Sequence, residues 1–193
     1  MGRTITKEQL SQFPVEEFPG KIFVIQTIEA SEEAVSYLSK FKLLGFDTET
    51  RPAFKKGSVH SVALIQLSTE DSCFLFRLNK IGFPSCLINL LSNPDILKVG
   101  LSLRDDFQSM SRRMEFTPSG FIDLQKIVIK YNIADMSLQK IYALLFNKKI
   151  SKSQRLSNWE NETLSESQKK YASLDAWACL KIYAELCPTE NYF

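Results

Sequence analysis

The sequence feature that most constrains the fold is a pair of apolar runs on either side of a short polar turn. Residues 61–68 (SVALIQLS) and 72–78 (SCFLFRL) have the composition of strands, and Thr69-Glu70-Asp71 between them has that of a turn. A third apolar run, residues 43–48, precedes this pair and is predicted to be a buried strand. Three consecutive strands followed by alternating strands and helices indicate an α/β fold with a mixed sheet.

The other elements are predicted from periodicity, capping residues and turns. A helix is expected to be capped at Ser31-Glu32-Glu33 and to end near Phe41, and Ser165 with Gln168 has the spacing of a capping box. The remaining predicted segments are strands at 21–28, 96–103 and 120–123 and helices at 84–92, 105–114, 124–131, 137–146 and 165–186.

The length of the chain, 193 residues, is enough to bury a core without cross-links. Residues 1–20 are predicted to be a loose lead-in, and residues 21–193 a single domain. The chain contains four widely spaced cysteines and no C-x-x-C pair, so neither disulfides nor a zinc site is indicated. These cysteines, Cys73, Cys86, Cys179 and Cys187, are expected to be reduced.

Hydropathy and charge narrow the functional classes. Neither a signal peptide nor a run of about 18 apolar residues is present, so we expect a cytoplasmic protein, nuclear if it is eukaryotic, with no membrane partner. The net charge of +2 does not demonstrate nucleic-acid binding and does not oppose it.

The sharpest local feature is the acidic end of the run at 43–48. In a strand the side chains at i and i+2 share a face, so Asp47 and Glu49 would present two carboxylates side by side. Such a pair repels itself unless a cation lies between the two groups, and oxygen ligands suit Mg²⁺ or Mn²⁺. Taken alone, the pair is also explained as a solvated strand end.

A second feature lies on the last predicted helix. Tyr171 and Asp175 are four residues apart and share a face, next to an apolar stripe formed by Leu174, Ala178 and Ile182. An acid beside such a stripe is costly unless it is paired or binds a metal. An aspartate at the edge of the stripe with an ordinary hydrogen bond is the alternative.

Taken together, the acids resemble those of a known family. The segments FDTET (46–50), KVGLSLRDDFQSM (98–110) and YASLDAWA (171–178) resemble the three motifs of the DEDDy branch of the DnaQ-like 3′-5′ exonucleases. The likeness is strongest to the Werner-type exonuclease domain and more distant to ribonuclease D. It implies a ribonuclease-H-like fold with a five-stranded mixed β-sheet flanked by α-helices, and metal-dependent release of 5′-nucleotides from a 3′ end.

The resemblance also implies roles for individual residues. Asp47, Glu49 and Asp175 match positions that bind a first Mg²⁺ or Mn²⁺ ion, Asp47 is shared with a second ion, and Tyr171 matches the residue that positions the attacking water. In the second motif the expected acid is Asp106 rather than Asp105. Asp106 stands six residues after Gly100 and is followed four residues later by the apolar Met110, whereas Asp105 is followed by Ser109.

Candidate substrate contacts are Thr50, at the end of the first motif, and Lys152, Arg155 and Trp159, which lie before the third. Basic groups neutralise phosphates and aromatic rings stack on bases, and residues 54–57 (FKKG) have the same character. Solvated loop charge is an equal explanation for these segments.

The leading hypothesis is a two-metal exonuclease acting on DNA, with a separate helicase or repair protein as a partner. An RNA 3′-end trimming enzyme and a catalytically silent nucleic-acid-binding module are the alternatives.

Overall fold

The structure is a computed structural model that describes residues 2–53 and 60–188. One sheet has the strand order β1-β4-β3-β2-β5-β6, in which β3 is antiparallel to both its neighbours and the other pairs are parallel. The strands are β1 (Lys21–Ile25), β2 (Leu43–Thr50), β3 (Val62–Ser68), β4 (Ser72–Arg77), β5 (Leu97–Gly100) and β6 (Phe121–Asp123). The helices of the described residues are α1 (Lys7–Gln12), α2 (Ile28–Leu38), α3 (Leu78–Ile81), α4 (Ser85–Leu91), α5 (Leu103–Ser111), α6 (Leu124–Val128), α7 (Leu138–Phe146) and α8 (Glu166–Leu186).

The predicted mixed α/β class is confirmed, but the strand count implied by the family resemblance is wrong. The sheet has six strands among the described residues rather than five. The two edge strands are β1, which is parallel to β4, and β6, which is three residues long and parallel to β5. The segment prediction at 120–123 had already placed a short strand there.

The start of α2 differs from the prediction. The side chain of Thr27 caps the helix by accepting a hydrogen bond from the Ala30 backbone nitrogen at 3.1 Å. Ser31 lies one turn inside the helix, where its hydroxyl donates to the Thr27 carbonyl oxygen at 2.8 Å. Thr27 can cap a helix as Ser31 can, so composition alone did not separate the two positions.

Helices cover both faces of the sheet. Leu44 and Phe46 of β2 point into a core shared with α2 and α4, whereas Leu43 points into a core shared with α7 and α8. Because side chains alternate along a strand, Asp47 and Glu49 lie on the α8 face of β2. The sheet therefore presents both acids to α8.

Helix α8 begins as predicted and lies unusually close to β2. The capping box is present, with the Ser165 hydroxyl accepting from the Gln168 nitrogen at 3.2 Å and the Gln168 side chain accepting from the Ser165 nitrogen at 3.0 Å. A Cβ atom at Gly45 would lie 2.0 Å from the Ala176 carbonyl oxygen, so only glycine allows this approach. The contact brings Asp175 of α8 to the end of β2.

The segment predicted to be a loose lead-in packs against the domain. Ile5 is buried, and the Glu16 nitrogen donates to the Lys149 carbonyl oxygen at 2.9 Å. The buried Glu16 carboxylate accepts from the Tyr142 hydroxyl at 2.7 Å and from Lys148 at 3.0 Å. The boundary between residues 20 and 21 stays a prediction.

The cysteines are free, as predicted. Cys73 and Cys179 are buried, and Cys86 and Cys187 are partly buried. None of the helices within the described residues is long and apolar enough to span a membrane.

Replacing Gly45 with alanine is expected to lower the free energy of unfolding by at least about 2 kcal/mol, because the new methyl group would overlap the backbone of α8. Urea denaturation measures the change. The control is Gly82→Ala, where a Cβ meets no described atom within 4 Å and only the backbone preference at φ 68° opposes the substitution. A smaller loss for Gly45→Ala than for Gly82→Ala would show that α8 can shift without cost.

Candidate functional site

Three of the predicted acids converge at the carboxyl end of β2. One carboxylate oxygen from each of Asp47, Glu49 and Asp175 lies within 4.8 Å of the other two. Asp47 and Glu49 come from alternate positions of the strand, and Asp175 comes from the helix that packs on Gly45. The site therefore offers only hard oxygen ligands, which suit Mg²⁺ or Mn²⁺.

Asp106 faces this cluster and Asp105 does not. Asp106 is partly buried and accepts a hydrogen bond from the Thr48 hydroxyl, whereas Asp105 is exposed. Met110, one turn after Asp106, is fully buried. Neighbouring residues on a helix point about 100° apart, so only one of the two aspartates can face inward. Whether Asp106 binds metal stays a prediction.

The helix that carries Asp106 is oriented by a residue that the sequence analysis did not single out. Ser102, the residue before α5, has a left-handed backbone (φ 61°) and its side chain makes no capping hydrogen bond. Asp123 supplies the cap instead, accepting from the Ser102 nitrogen at 3.1 Å and the Leu103 nitrogen at 3.2 Å. The available signal was an acid that ends a short predicted strand and directly precedes a helix.

Burial raises the pKa of the three carboxyl groups of the cluster and of the Asp106 carboxyl group. The pKa of Glu49 rises to about 9 and that of Asp47 rises well above its usual value, first because burial removes the groups from water and then because neighbouring acids repel their charge. Burial likewise raises the pKa of Asp106 and of Asp175 to about 7, against an opposing hydrogen bond from Thr48 or Tyr171 respectively. When no metal is bound, protons on these groups offset part of the negative charge that a bound cation would neutralise.

A buried oxygen atom of Asp175 indicates that the cluster binds a ligand. The Asp175 Oδ1 atom is buried and has no hydrogen-bond partner among the described residues. Buried carboxylate oxygens are normally bonded, and a divalent ion held by Asp47, Glu49 and Asp175 would satisfy this one. The residues present therefore fit a metal ion.

Tyr171 lies one helical turn before Asp175. Its ring is 8% exposed, and burial together with the nearby carboxylates of Asp175 and Glu49 raises the pKa of its hydroxyl. The hydroxyl therefore stays protonated at neutral pH. It can donate a hydrogen bond to a water molecule, but it is poorly suited to remove a proton from one.

The structure corrects the expectation that Trp159 contacts substrate. Trp159 is fully buried, and its ring packs against Tyr171 with the ring centroids 6.1 Å apart. It shares a core with Leu164 and Ala172, so its surface is not available to stack on a base. A large aromatic ring is more stable in such a core than in a solvated loop.

The other candidate substrate residues differ in their exposure. Lys152 and Arg155 are exposed, and the charge of Lys152 offsets a small part of the rise that burial causes in the pKa of Asp175. Thr50 is partly buried and directly follows a register shift in β2 after Glu49. Residues 54–57 lie outside the described residues.

A buried arginine fixes the segment before α8. Arg77, the only charged residue of β4, is fully buried and donates to the Glu162 carbonyl oxygen at 2.7 Å and to the Asn161 carbonyl oxygen. The segment held in this way includes Trp159, which supports Tyr171. Arg77 was not predicted to act in this way, although a lone arginine in an apolar strand is an unusual feature of the sequence.

The chain matches known proteins over most of its length. Residues 22–189 match the protein family described as 3′-5′ exonuclease. The chain is 36% identical over 185 residues to the "Bifunctional 3'-5' exonuclease/ATP-dependent helicase WRN" of Mus musculus, and the match covers 90% of this chain and 13% of that protein. It is 33% identical over 159 residues to the "Exonuclease 3'-5' domain-containing protein 2" of Drosophila melanogaster, covering 80% of this chain and 27% of that protein. The chain thus spans a small part of these relatives.

Solved structures share the fold. The Nibbler EXO domain of Aedes aegypti superposes with a TM-score of 0.77 at 20% identity, covering 96% of this chain and 90% of that one. Escherichia coli RNase D, described as an exoribonuclease involved in structured RNA processing, superposes with a TM-score of 0.75 at 24% identity, covering 84% and 43%. These likenesses support the ribonuclease-H-like fold predicted from the sequence.

The acid cluster predicts how stability depends on pH. The carboxyl pKa values are raised in the folded state, so the folded protein binds more protons than the unfolded chain between about pH 4 and pH 9. In a chelator, the free energy of unfolding therefore falls as pH rises through that window. Urea denaturation at pH 5, 7 and 9 measures the fall. Asp175→Asn, which removes one titrating group, is expected to show a shallower fall of stability with pH. An equal or steeper fall would contradict the raised pKa of Asp175.

Proposed function

This chain belongs to the 3′-5′ exonuclease family, and from that premise we propose that it is a metal-dependent hydrolase that removes 5′-nucleotides from the 3′ ends of DNA. The observation that carries the proposal is the convergence of Asp47, Glu49 and Asp175 within 4.8 Å. Three carboxylates held this close in a partly buried place are stable as anions only around cations.

We assign two ions, Mg²⁺ or Mn²⁺, to the site. Asp47, Glu49 and Asp175 would hold the first, and Asp47 with Asp106 would hold the second. Two bound ions supply a water nucleophile at neutral pH and offset the charge that develops on the leaving oxygen. The hydrogen bond from Thr48 to Asp106 fixes the carboxylate that stands apart from the other three.

The chain's own residues perform the remaining tasks. Tyr171 would donate a hydrogen bond to the attacking water and so orient it, since burial keeps the hydroxyl protonated. The exposed side chains of Lys152 and Arg155 would neutralise substrate phosphates. Thr50, at the irregular end of β2, would contact the substrate.

The preference for DNA rests on the Werner-type likeness of the motifs. The RNA-trimming alternative is supported by the fold shared with RNase D, which shows architecture rather than substrate. A silent binding module is disfavoured because each acid position and Tyr171 are filled. A cytoplasmic or nuclear role in DNA repair, with a separate helicase or repair protein as partner, is part of the proposal.

The function is tested with purified protein and single-stranded or recessed oligonucleotides of DNA and RNA that carry a 5′ label. With Mg²⁺ or Mn²⁺ we expect a ladder that shortens from the 3′ end of DNA, and mononucleotides with a 5′-phosphate as products. Activity should disappear in a chelator and in Asp175→Ala. Degradation of RNA alone would assign the alternative substrate, and the absence of any cleavage would favour the silent module.

The choice of Asp106 over Asp105 predicts opposite results for two neighbouring substitutions. Asp106→Asn is expected to lower kcat by at least about 100-fold, equivalent to about 2.7 kcal/mol, because it weakens the second metal site. Asp105→Asn should keep near-normal kcat and cost at most about 1 kcal/mol of stability through a lost interaction with the helix dipole. Steady-state kinetics give kcat for both variants, and urea denaturation gives their stability. A large loss of kcat in Asp105→Asn together with near-normal kcat in Asp106→Asn would assign Asp105 to the metal.

A further inference from the structure

One buried polar side chain next to the acid cluster has no assigned role. Gln66 lies in the middle of β3 and is fully buried, and neither its amide oxygen nor its amide nitrogen has a hydrogen-bond partner within the described part of the chain. An amide buried without hydrogen bonds costs on the order of 1 to 3 kcal/mol. Such a group therefore calls for a physical explanation.

The sheet register places this amide beside a predicted metal ligand. Gln66 is the direct antiparallel partner of Asp47, and paired residues of this kind have Cβ atoms about 4.5 to 5.5 Å apart on the same face. Leu64 and Leu75, which share that face with Gln66, pack into a core with Ala172 and Ala176 of α8. The amide is thus enclosed between the sheet and α8, next to the Asp47 carboxylate.

We propose that Gln66 is a positioning residue for the metal site, whose amide nitrogen donates a hydrogen bond to the Asp47 carboxylate when Asp47 binds a divalent ion. This inference rests on the proposed function, because it assigns Gln66 to the same site. Carboxylates that bind metals are themselves commonly held by hydrogen bonds, and loss of such a bond lowers metal affinity by about 10- to 100-fold.

A neutral donor suits this position better than a charged one. Four carboxylates balance the roughly four positive charges of two divalent ions. A lysine or arginine beside Asp47 would neutralise one of those carboxylates and compete with the metal, whereas an amide orients the carboxylate and leaves its charge available. The same argument accounts for an uncharged polar residue in a strand whose other residues are apolar apart from the terminal Ser68.

The test compares Gln66→Met with the wild-type chain. Methionine keeps the length of the side chain and removes the hydrogen-bonding groups, so the thermal midpoint in a chelator should stay equal or rise. Titration calorimetry with Mn²⁺ should show affinity weakened by at least about 10-fold. At subsaturating Mn²⁺ the nuclease activity should fall, and excess Mn²⁺ should restore it. Ser173→Ala, which changes another fully buried polar residue between α8 and the sheet, is the control and should leave Mn²⁺ affinity unchanged.

Each other outcome overturns the inference in a recognisable way. Wild-type Mn²⁺ affinity in Gln66→Met would show that Gln66 does not position Asp47. An equal loss of Mn²⁺ affinity in Gln66→Met and Ser173→Ala would indicate a general disturbance beneath α8. A clear drop in the metal-free thermal midpoint of Gln66→Met would show that the Gln66 amide of the wild-type chain is already hydrogen-bonded through water. Failure of the wild-type chain to bind Mn²⁺ would refute the metal site itself, and with it the proposed function.

Discussion

The mutual repulsion of four neighbouring, buried or partly buried carboxylates is the interaction that the rest of the structure must offset. Burial and neighbouring acids raise the pKa of Asp47 and Glu49, so the site is strained electrostatically wherever cations are absent. Folding must therefore hold these groups together against their charge. The stability for this comes from apolar burial on both faces of the sheet.

The scaffold fixes each acid through a different device. Strand periodicity places Asp47 and Glu49 on one face, and the absence of a side chain at Gly45 lets α8 bring Asp175 against them. Asp123 caps α5 from another strand and so sets the direction of Asp106. Each device acts on the backbone of the strand or helix that carries the acid, which suits a site that is proposed to hold metal ions in a defined geometry.

Tyr171 is held in place by a series of contacts that begins at Arg77. Arg77 holds the carbonyl oxygens of Asn161 and Glu162, this segment holds Trp159 in the core, and Trp159 packs against the tyrosine ring. The N-terminal segment contributes a further contact, in which Glu16 accepts hydrogen bonds from Tyr142 and Lys148, just before the basic loop that carries Lys152. Residues far from the acids thus determine where the hydroxyl and the basic side chains lie.

The sequence by itself determined the features that depend on local periodicity. The i, i+2 spacing of Asp47 and Glu49, the i, i+4 spacing of Tyr171 and Asp175, and the capping box at Ser165 each follow from strand or helix geometry. Only the tertiary structure decided that Trp159 is buried, that Thr27 caps α2, that Asp123 caps α5 and that Gln66 faces Asp47. Local geometry fixes which residues share a face, but what covers that face depends on segments distant in the chain, and one sequence carries no direct record of that packing.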